Sequence, residues 1–451
     1  MKRFTMIVAI LLVAVLACGM LFACGDNGGT QTGTNTNTGS DTNQGTGDNS
    51  GSSTGSDTTG GTKYTLTIWG SEQDQAMLKE MCAAYATANP QNTYKFLFGV
   101  QSESDAADKV LNDVESGPDV FSFASDQINK LYAGGALARI GGNIESNVKE
   151  VNSAGSIDAA TLTVGGEERL YAYPVTGDND YFVYYDKRVF TEESQLATLD
   201  NMLATAAAAG KTVHFKLNDD GWYLSSFFFA VPELEYQVTY DDKMKETAVA
   251  INYDDPKGLM VMQSLNTYLQ SNALVAQTDD GKITAGFTDG SVAAAVSGTW
   301  NRKTLEDLLG ENLGVCKLPT ANIGGQQVQL SGYMGYKLMG VNGFSKNKGE
   351  AHKLAQWLTN QENQIKRFET RAFAPTNKVA AALEQVTGDP VISVVMQQAQ
   401  FNRSQKGVPS TYWTPMGSLI TPIITAKAEG KVLSDAELQA LLDALCTQIR
   451  K

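Results

Sequence analysis

Residues 25–62 contain only Gly, Thr, Asn, Ser, Asp and Gln, without one apolar side chain. Such a stretch cannot bury enough surface to offset the entropy of ordering it, so it is expected to be a disordered tether and not part of any core. It divides the chain of 451 residues into a short apolar head and a long remainder, residues 63–451. That remainder is larger than a single hydrophobic core usually grows, which predicts two lobes or domains. As a flexible coil the tether reaches roughly 35 Å, from about 5 to 6 Å times the square root of its length.

The head reads as an address. Lys2 and Arg3 are followed by an almost unbroken apolar run over residues 6–23, ending in Leu21-Phe22-Ala23-Cys24. This resembles a bacterial lipoprotein signal peptide, residues 1–23, cleaved before Cys24. A diacylglycerol on Cys24 would supply two acyl chains, enough for stable anchoring, and residues 24–62 would be the lipidated cysteine plus tether. Val15-Leu16-Ala17-Cys18 is a competing cleavage site that would leave Met20-Leu21-Phe22 as an exposed stub. A permanent membrane helix is the other reading, because the run is near the ~18 to 20 residues that span a bilayer. The anchor and tether resemble those of Gram-positive lipoproteins, which implies the outer face of the cytoplasmic membrane.

The net charge is −14. An acidic chain without a Lys/Arg run repels phosphate backbones, so nucleic acid is excluded as a partner. His214 and His352 are the two histidines, too few and too far apart in sequence for a His-rich zinc site. No HExxH, GxSxG, GxxxxGK[ST] or CxxC string occurs, so neither metal nor cofactor is expected and an enzyme would have to work with carboxylates. Cys82, Cys316 and Cys446 would remain after cleavage, an odd number without paired spacing, and Cys82 and Cys446 fall on apolar helix stripes where buried thiols are common.

From Lys63 the pattern alternates between strand and helix, the mark of an α/β fold. Residues 64–69 read as a strand. Ser71 and Asp74 form a capping-box pattern ahead of a helix whose apolar face is Met77, Leu78, Met81, Cys82 and Tyr85, stopped by Asn89-Pro90. Residues 94–100 and 119–123 are further strands, with a helix carrying Ala107, Val110, Leu111 and Val114 between them. Asp255-Pro256 opens a helix with Leu259, Met262, Leu265 and Leu269, proline standing where its missing N–H is harmless. Ala351, Leu354, Ala355 and Leu358 mark another helix. Ser434 and Glu437 cap the last one, with Leu438, Leu441, Leu442 and Leu445.

Several strings, in this order, resemble the extracellular solute-binding proteins of carbohydrate ABC transporters, the maltose and maltodextrin type. They are Leu66-Thr67-Ile68-Trp69, Gly117-Pro118-Asp119-Val120, Gly134-Gly135-Ala136-Leu137 and Tyr171-Ala172-Tyr173-Pro174 leading to Tyr184-Tyr185-Asp186-Lys187. Ser297-Gly298-Thr299-Trp300, Leu318-Pro319-Thr320, Tyr333-Met334-Gly335 and Tyr412-Trp413-Thr414-Pro415-Met416-Gly417 follow. The resemblance implies a periplasmic-binding-protein-like α/β fold: two discontinuous lobes joined by a hinge of three crossings, with the ligand cleft between them. The crossings are expected near residues 174–178, 330–332 and 374–377. One lobe would combine 63–176 with 332–376, the other 177–331 with 377–451.

A sugar cleft needs flat aromatic platforms for C–H faces, interleaved with carboxylates and amides for hydroxyls. Matched to the family strings, Trp300 and Trp413 stand where stacking tryptophans occur. Tyr223 aligns with a sugar-contacting tyrosine, and its neighbour Trp222 leaves the same polar loop. Phe123 occupies a position often held by a stacking tryptophan, followed by Asp126 where the family uses a carboxylate; Gln127 replaces an arginine of the best-known maltose binder. Glu72, Gln73 and Asp178 are hydroxyl acceptors by position, and Tyr333 is placed at the cleft beside the second crossing. Trp69 and Trp357 read as structural.

The resemblance therefore implies a non-catalytic, monomeric receptor that is anchored to the membrane through Cys24. It would capture an oligosaccharide, a malto-oligosaccharide first, and deliver it to the permease subunits of an ABC transporter. A xylo-, galacto- or fructo-oligosaccharide is the alternative ligand. A glycoside hydrolase with two carboxylates ~5 to 9.5 Å apart is a rival of another class. A surface adhesin or stalk would give no reason for the Trp300 and Trp413 strings.

Overall fold

A computed structural model describes residues 61–451. The expected signal peptide, the lipidation sites Cys24 and Cys18, and nearly all of the tether lie outside the described residues.

Two five-membered strand orders organise the described chain. In the first, Lys63–Gly70 lies parallel between Thr93–Val100 and Val120–Ala124, and Tyr333–Val341 pairs antiparallel with Val120–Ala124. The short strand Arg403–Ser404 closes that edge, and Ala172–Asn179 also pairs with Tyr333–Val341. The second sheet runs Leu274–Val275, Thr212–His214, Val292–Ser297, Phe182–Asp186, Leu313–Cys316. The fold is mixed α/β of the periplasmic-binding-protein type. Arg403–Ser404 thus joins the first sheet although it falls in a stretch expected wholly in the second lobe.

Each sheet has its own core. Leu66, Ile68, Val120, Phe121 and Phe123 pack with Met77, Leu78, Met81, Cys82 and Tyr85 of the helix Gln75–Ala88, burying the whole apolar face read from the spacing. Around the second sheet, Val213, Phe227, Phe228, Val261 and Leu265 meet Leu438, Leu442 and Leu445 of the terminal helix Asp435–Ile449. Its capping box forms, Ser434 Oγ accepting from the N–H of Glu437 while Glu437 Oε2 accepts from the N–H of Ser434 at 2.8 Å. The capping box expected at Ser71 does not form. Ser71 makes no cap hydrogen bond, the chain turns through Glu72–Asp74, and the buried Asp74 faces Arg367 and Arg371 instead.

The described cysteines Cys82, Cys316 and Cys446 are free; burial pushes the Cys82 thiol up to about 12 and that of Cys446 to about 11. Trp69 packs against the first core and Trp357 donates Nε1–H to the carbonyl of Met81 at 3.0 Å, both structural positions.

Candidate functional site

Asp220 sets the geometry of the aromatic residues. Its carboxylate caps the helix Gly221–Phe229, accepting from the N–H groups of Trp222 at 3.0 Å and Tyr223 at 3.4 Å, as a helix N-terminus requires. The side chains of Trp222 and Tyr223 leave from this fixed first turn. Gly221 lets that turn touch the helix Trp413–Ser418: a Cβ there would lie 2.8 Å from Met416 Cβ and 2.9 Å from the carbonyl of Trp413. A one-atom side chain would push the two tryptophan-bearing helices apart.

Three tryptophans gather on this framework. Trp222 and Trp300 have ring centroids 5.8 Å apart, and Trp222 meets Tyr181 edge-on at 4.5 Å and Tyr223 at 5.0 Å. Trp300 is held at its far edge, Nε1–H donating to Asp280 Oδ2 at 3.0 Å while Asp280 Oδ1 accepts from Ser297 Oγ at 3.0 Å. Gly298 lies under the Trp300 ring, which a Cβ would meet at 2.0 Å. Trp413 rests on Tyr333 at 5.4 Å and Tyr412 at 5.3 Å, both edge-to-face. All three tryptophans are partly exposed, while Tyr223, Tyr333 and Tyr412 are buried. Tyrosines brace Trp222 and Trp413, while Trp222 and Asp280 hold Trp300.

Two of the expected aromatic contacts are therefore corrected in kind. Tyr333, fully buried, supports Trp413 from below and has no free face. Phe123 is also 0% exposed; it belongs to the first core, tilted against Phe121 and closing on Gly340, so it offers no stacking surface. The five buried residues of Val120–Ala124 show why: the strand is central in its sheet and covered on both faces, and no alternation marks an outward residue.

Asp126, in the turn Ser125–Gln127 after that strand, lies beside Trp413. Its Oδ1 accepts from Gln405 Nε2 at 3.0 Å. Burial raises its carboxyl to about 7, against the opposing pull of hydrogen bonds from its own backbone, Trp413 and Gln405 and of the Lys130 charge. Gln405 in turn accepts from Asn179 Nδ2 at 2.8 Å, and Gly335 leaves the room for that pair, since its Cβ would lie 2.1 Å from Gln405 Oε1. Gln405 joins this group without any signal in the local sequence. Gln127, by contrast, spends its amide on the backbone of Ala107, Glu103 and Ser104.

Asp178 is 1% exposed; Oδ2 accepts from the N–H of Ala374 at 3.0 Å, and Oδ1 has no partner. Asp180, also buried, keeps Oδ1 unpartnered, and burial together with the Asp178 charge holds its carboxyl well above the usual range. Glu72 and Gln73 are exposed at the end of Lys63–Gly70. The structure thus connects Trp300, Trp222 and Tyr223, and Trp413, Tyr333 and Asp126, through the contact at Gly221; Asp178 lies on Ala172–Asn179, and Glu72 and Gln73 lie in the turn after Lys63–Gly70.

Among the described residues no three His, Cys, Asp or Glu side chains are placed to hold a metal. His214 and His352 are engaged by Thr278 and Tyr173, at 2.8 and 2.9 Å. Two surface cavities, about 530 and 520 Å³, are lined by Asp200, Met260 and Tyr268 and by Arg188, Lys211 and Phe287, and contain none of the expected site residues.

Similarity to known proteins accords with this architecture. Residues 80–393 match the family described as bacterial extracellular solute-binding protein. The chain is 25% identical over 327 residues to the galactooligosaccharide-binding protein of Bacillus subtilis (strain 168), covering 71% of this chain and 75% of that one. A solved structure with acarbose is 31% identical with a TM-score of 0.74, covering 86% of this chain and 98% of the other. A maltodextrin binding protein from L. casei BL23, solved without ligand, shares the fold at 21% identity and a TM-score of 0.70, covering 86% and 99%. The family match spans well over half of the sequence, and the chain belongs to the bacterial extracellular solute-binding protein family.

Proposed function

We propose that this protein is a lipid-anchored receptor that captures an oligosaccharide, a malto-oligosaccharide first, and presents it to the permease of an ABC transporter. It is a binder and not an enzyme, in keeping with its family and with the binding proteins it resembles. The observation that carries the reading is the set of partly exposed tryptophans: Trp222 and Trp413 braced by buried tyrosines, Trp300 set against Trp222 and held by Asp280, and the Asp126 carboxylate beside Trp413. Rings of this kind cover the apolar C–H faces of pyranoses, and a carboxylate among them accepts hydroxyls.

On this reading residues 63–176 with 332–376 form one lobe and 177–331 with 377–451 the other. The tryptophans belong to the second, Asp126, Glu72 and Gln73 to the first, and Asp178 stands at the first crossing between them. Ligand favours closure because only the closed state touches it from both sides. Lipidation at Cys24 would hold the receptor at the outer face of the membrane, with the tether letting it reach the permease.

Structural similarity to a complex with acarbose and to a maltodextrin binding protein supports the malto-type ligand. The Bacillus relative's name favours a galacto-oligosaccharide as the second reading. Calorimetric titration with matched malto- and galacto-oligosaccharides tests both: saturable heat with the malto series is expected, and heat only with the galacto series moves the substrate. Release of shorter sugars on prolonged incubation would overturn the non-catalytic reading.

A further inference from the structure

On a chain of net charge −14, two buried cations, Arg367 and Lys337, and the half-buried Arg371 gather around Asp74 and Phe373. Arg367 and Arg371 lie one turn apart on the helix Gln361–Arg371. Both reach the one carboxylate of Asp74, and only loosely: Arg367 Nη1 is 3.4 Å from Oδ2 and Arg371 Nε 3.5 Å from Oδ1. Lys337 is 8% exposed and sets its ammonium 4.2 Å from the centroid of the Phe373 ring, and the Arg371 guanidinium stands 5.0 Å from the same ring. No carboxylate lies within 4 Å of Lys337 among the described residues.

The donors outnumber what they are given. Arg367 Nε and Nη2 and Arg371 Nε are buried without a hydrogen-bond partner. Among the described residues Asp74 is the one carboxylate within 4 Å of these cations; Asp178 is held by the N–H of Ala374, next to Phe373. Three cations therefore share a single ion-paired carboxylate. Glu103, half-buried, acts on Arg367 only from a distance and makes no ion pair with it. Buried charge without a counterpart is costly. A sugar hydroxyl would offer an acceptor and leave the charge standing; a carboxylate supplies two acceptor oxygens in the planar geometry a guanidinium matches and neutralises the charge as well.

The cluster also sits where the ligand is expected. Asp74 ends the turn that carries Glu72 and Gln73. Lys337 is registered with Ala124, two residues before Asp126. Asp178 and Phe373 flank the hydrogen bond to Ala374. Arg371, its side chain 13% exposed, and Lys337 keep the accessible edge, with Arg367, 2% exposed, deeper.

We propose that Lys337 and Arg371, arranged around Phe373 and backed by Arg367, form a subsite for a carboxylate, so that the protein takes oligosaccharides bearing a uronic-acid unit in preference to neutral ones. This rests on the oligosaccharide reading above. The test is calorimetry on the full chain with matched pairs: maltotetraose and its analogue oxidised at C6 of the terminal glucose, galactotetraose and its galacturonate-ended analogue, and free sodium glucuronate as the separate source of the same carboxylate.

The acidic member of a pair binds at least about tenfold tighter than the neutral one, a ratio that shrinks as salt screens the charges. In Lys337→Met and in Arg371→Gln the ratio falls to within about twofold of unity, the range left when a charge-assisted contact is gone. A neutral member that binds as tightly as its acidic partner overturns the subsite and leaves the oligosaccharide reading standing. Free glucuronate that raises the melting temperature while no oligosaccharide gives heat keeps the carboxylate site and removes the oligosaccharide reading; silence from every probe removes both. Should either variant fail to melt cooperatively, the salt dependence of the wild-type ratio decides, and a ratio equal at low and high sodium chloride overturns the proposal.

Discussion

Gln405 Nε2 donates to Asp126 Oδ1 at 3.0 Å, tying the segment that leads into Trp413 to the turn that leaves the first sheet. The bond joins residues 279 positions apart and places the carboxylate among the aromatic rings, where burial raises it to about 7.

The raised carboxyl of Asp126 makes stability depend on pH. Its folded value, about 7, lies above the value of 3.8 for a free aspartate. Between these limits the folded state holds a proton that the unfolded state has lost, so the contribution is full below the lower value and disappears as pH rises through about 7. The melting temperature of the wild type minus that of Asp126→Asn should therefore fall as pH is raised from the lower limit to the upper and stay level beyond it. A difference that does not change with pH would show that Asp126 titrates as a solvated carboxylate.

Gly221→Ala should loosen the contact between the helices Gly221–Phe229 and Trp413–Ser418, because the added methyl meets Met416 and the Trp413 carbonyl under 3 Å. Overpacking of this kind costs about 1 to 3 kcal/mol. Urea unfolding measures it, and tryptophan fluorescence should shift as Trp222 and Trp413 separate. Wild-type stability and spectrum in this variant would mean that the close approach is not needed.

Phe123→Ala separates a core role from a stacking role. Truncating a fully buried phenylalanine typically costs about 3 to 5 kcal/mol of stability, and Phe123 is 0% exposed. Chemical denaturation should show a loss of that order. A variant as stable as the wild type but weaker in sugar binding would restore the ring to the cleft.

Much of the fold was legible because it is written in short-range spacing. The stripe of Met77, Leu78, Met81, Cys82 and Tyr85 is buried as its period requires, and Ser434 and Glu437 close their box within three residues. Ser71 and Asp74 carry the same local pattern and do not, because Asp74 is drawn to Arg367, 293 positions away. The site divides along the same line. Trp300, Trp413, Trp222 and Tyr223 stand in recognisable strings, whereas Gln405 enters through contacts with Asp126 and Asn179 that no local pattern announces. Phe123 and Tyr333 sit at family positions, yet covering layers from distant segments turned one into core and the other into a brace.

The central claim is that the tryptophan group binds an oligosaccharide, and calorimetric titration of the wild type and Trp300→Ala with malto-oligosaccharides of increasing length tests it most directly. Trp300 packs on Trp222 and is anchored by Asp280, so removing its ring should weaken binding at least about tenfold, or ~1.4 kcal/mol, while melting stays cooperative. Saturable heat with the wild type and that loss in the variant are the predicted results. Equal affinity in the two proteins would remove Trp300 from the site, and no heat from the wild type with any oligosaccharide, acidic or neutral, would contradict the account itself.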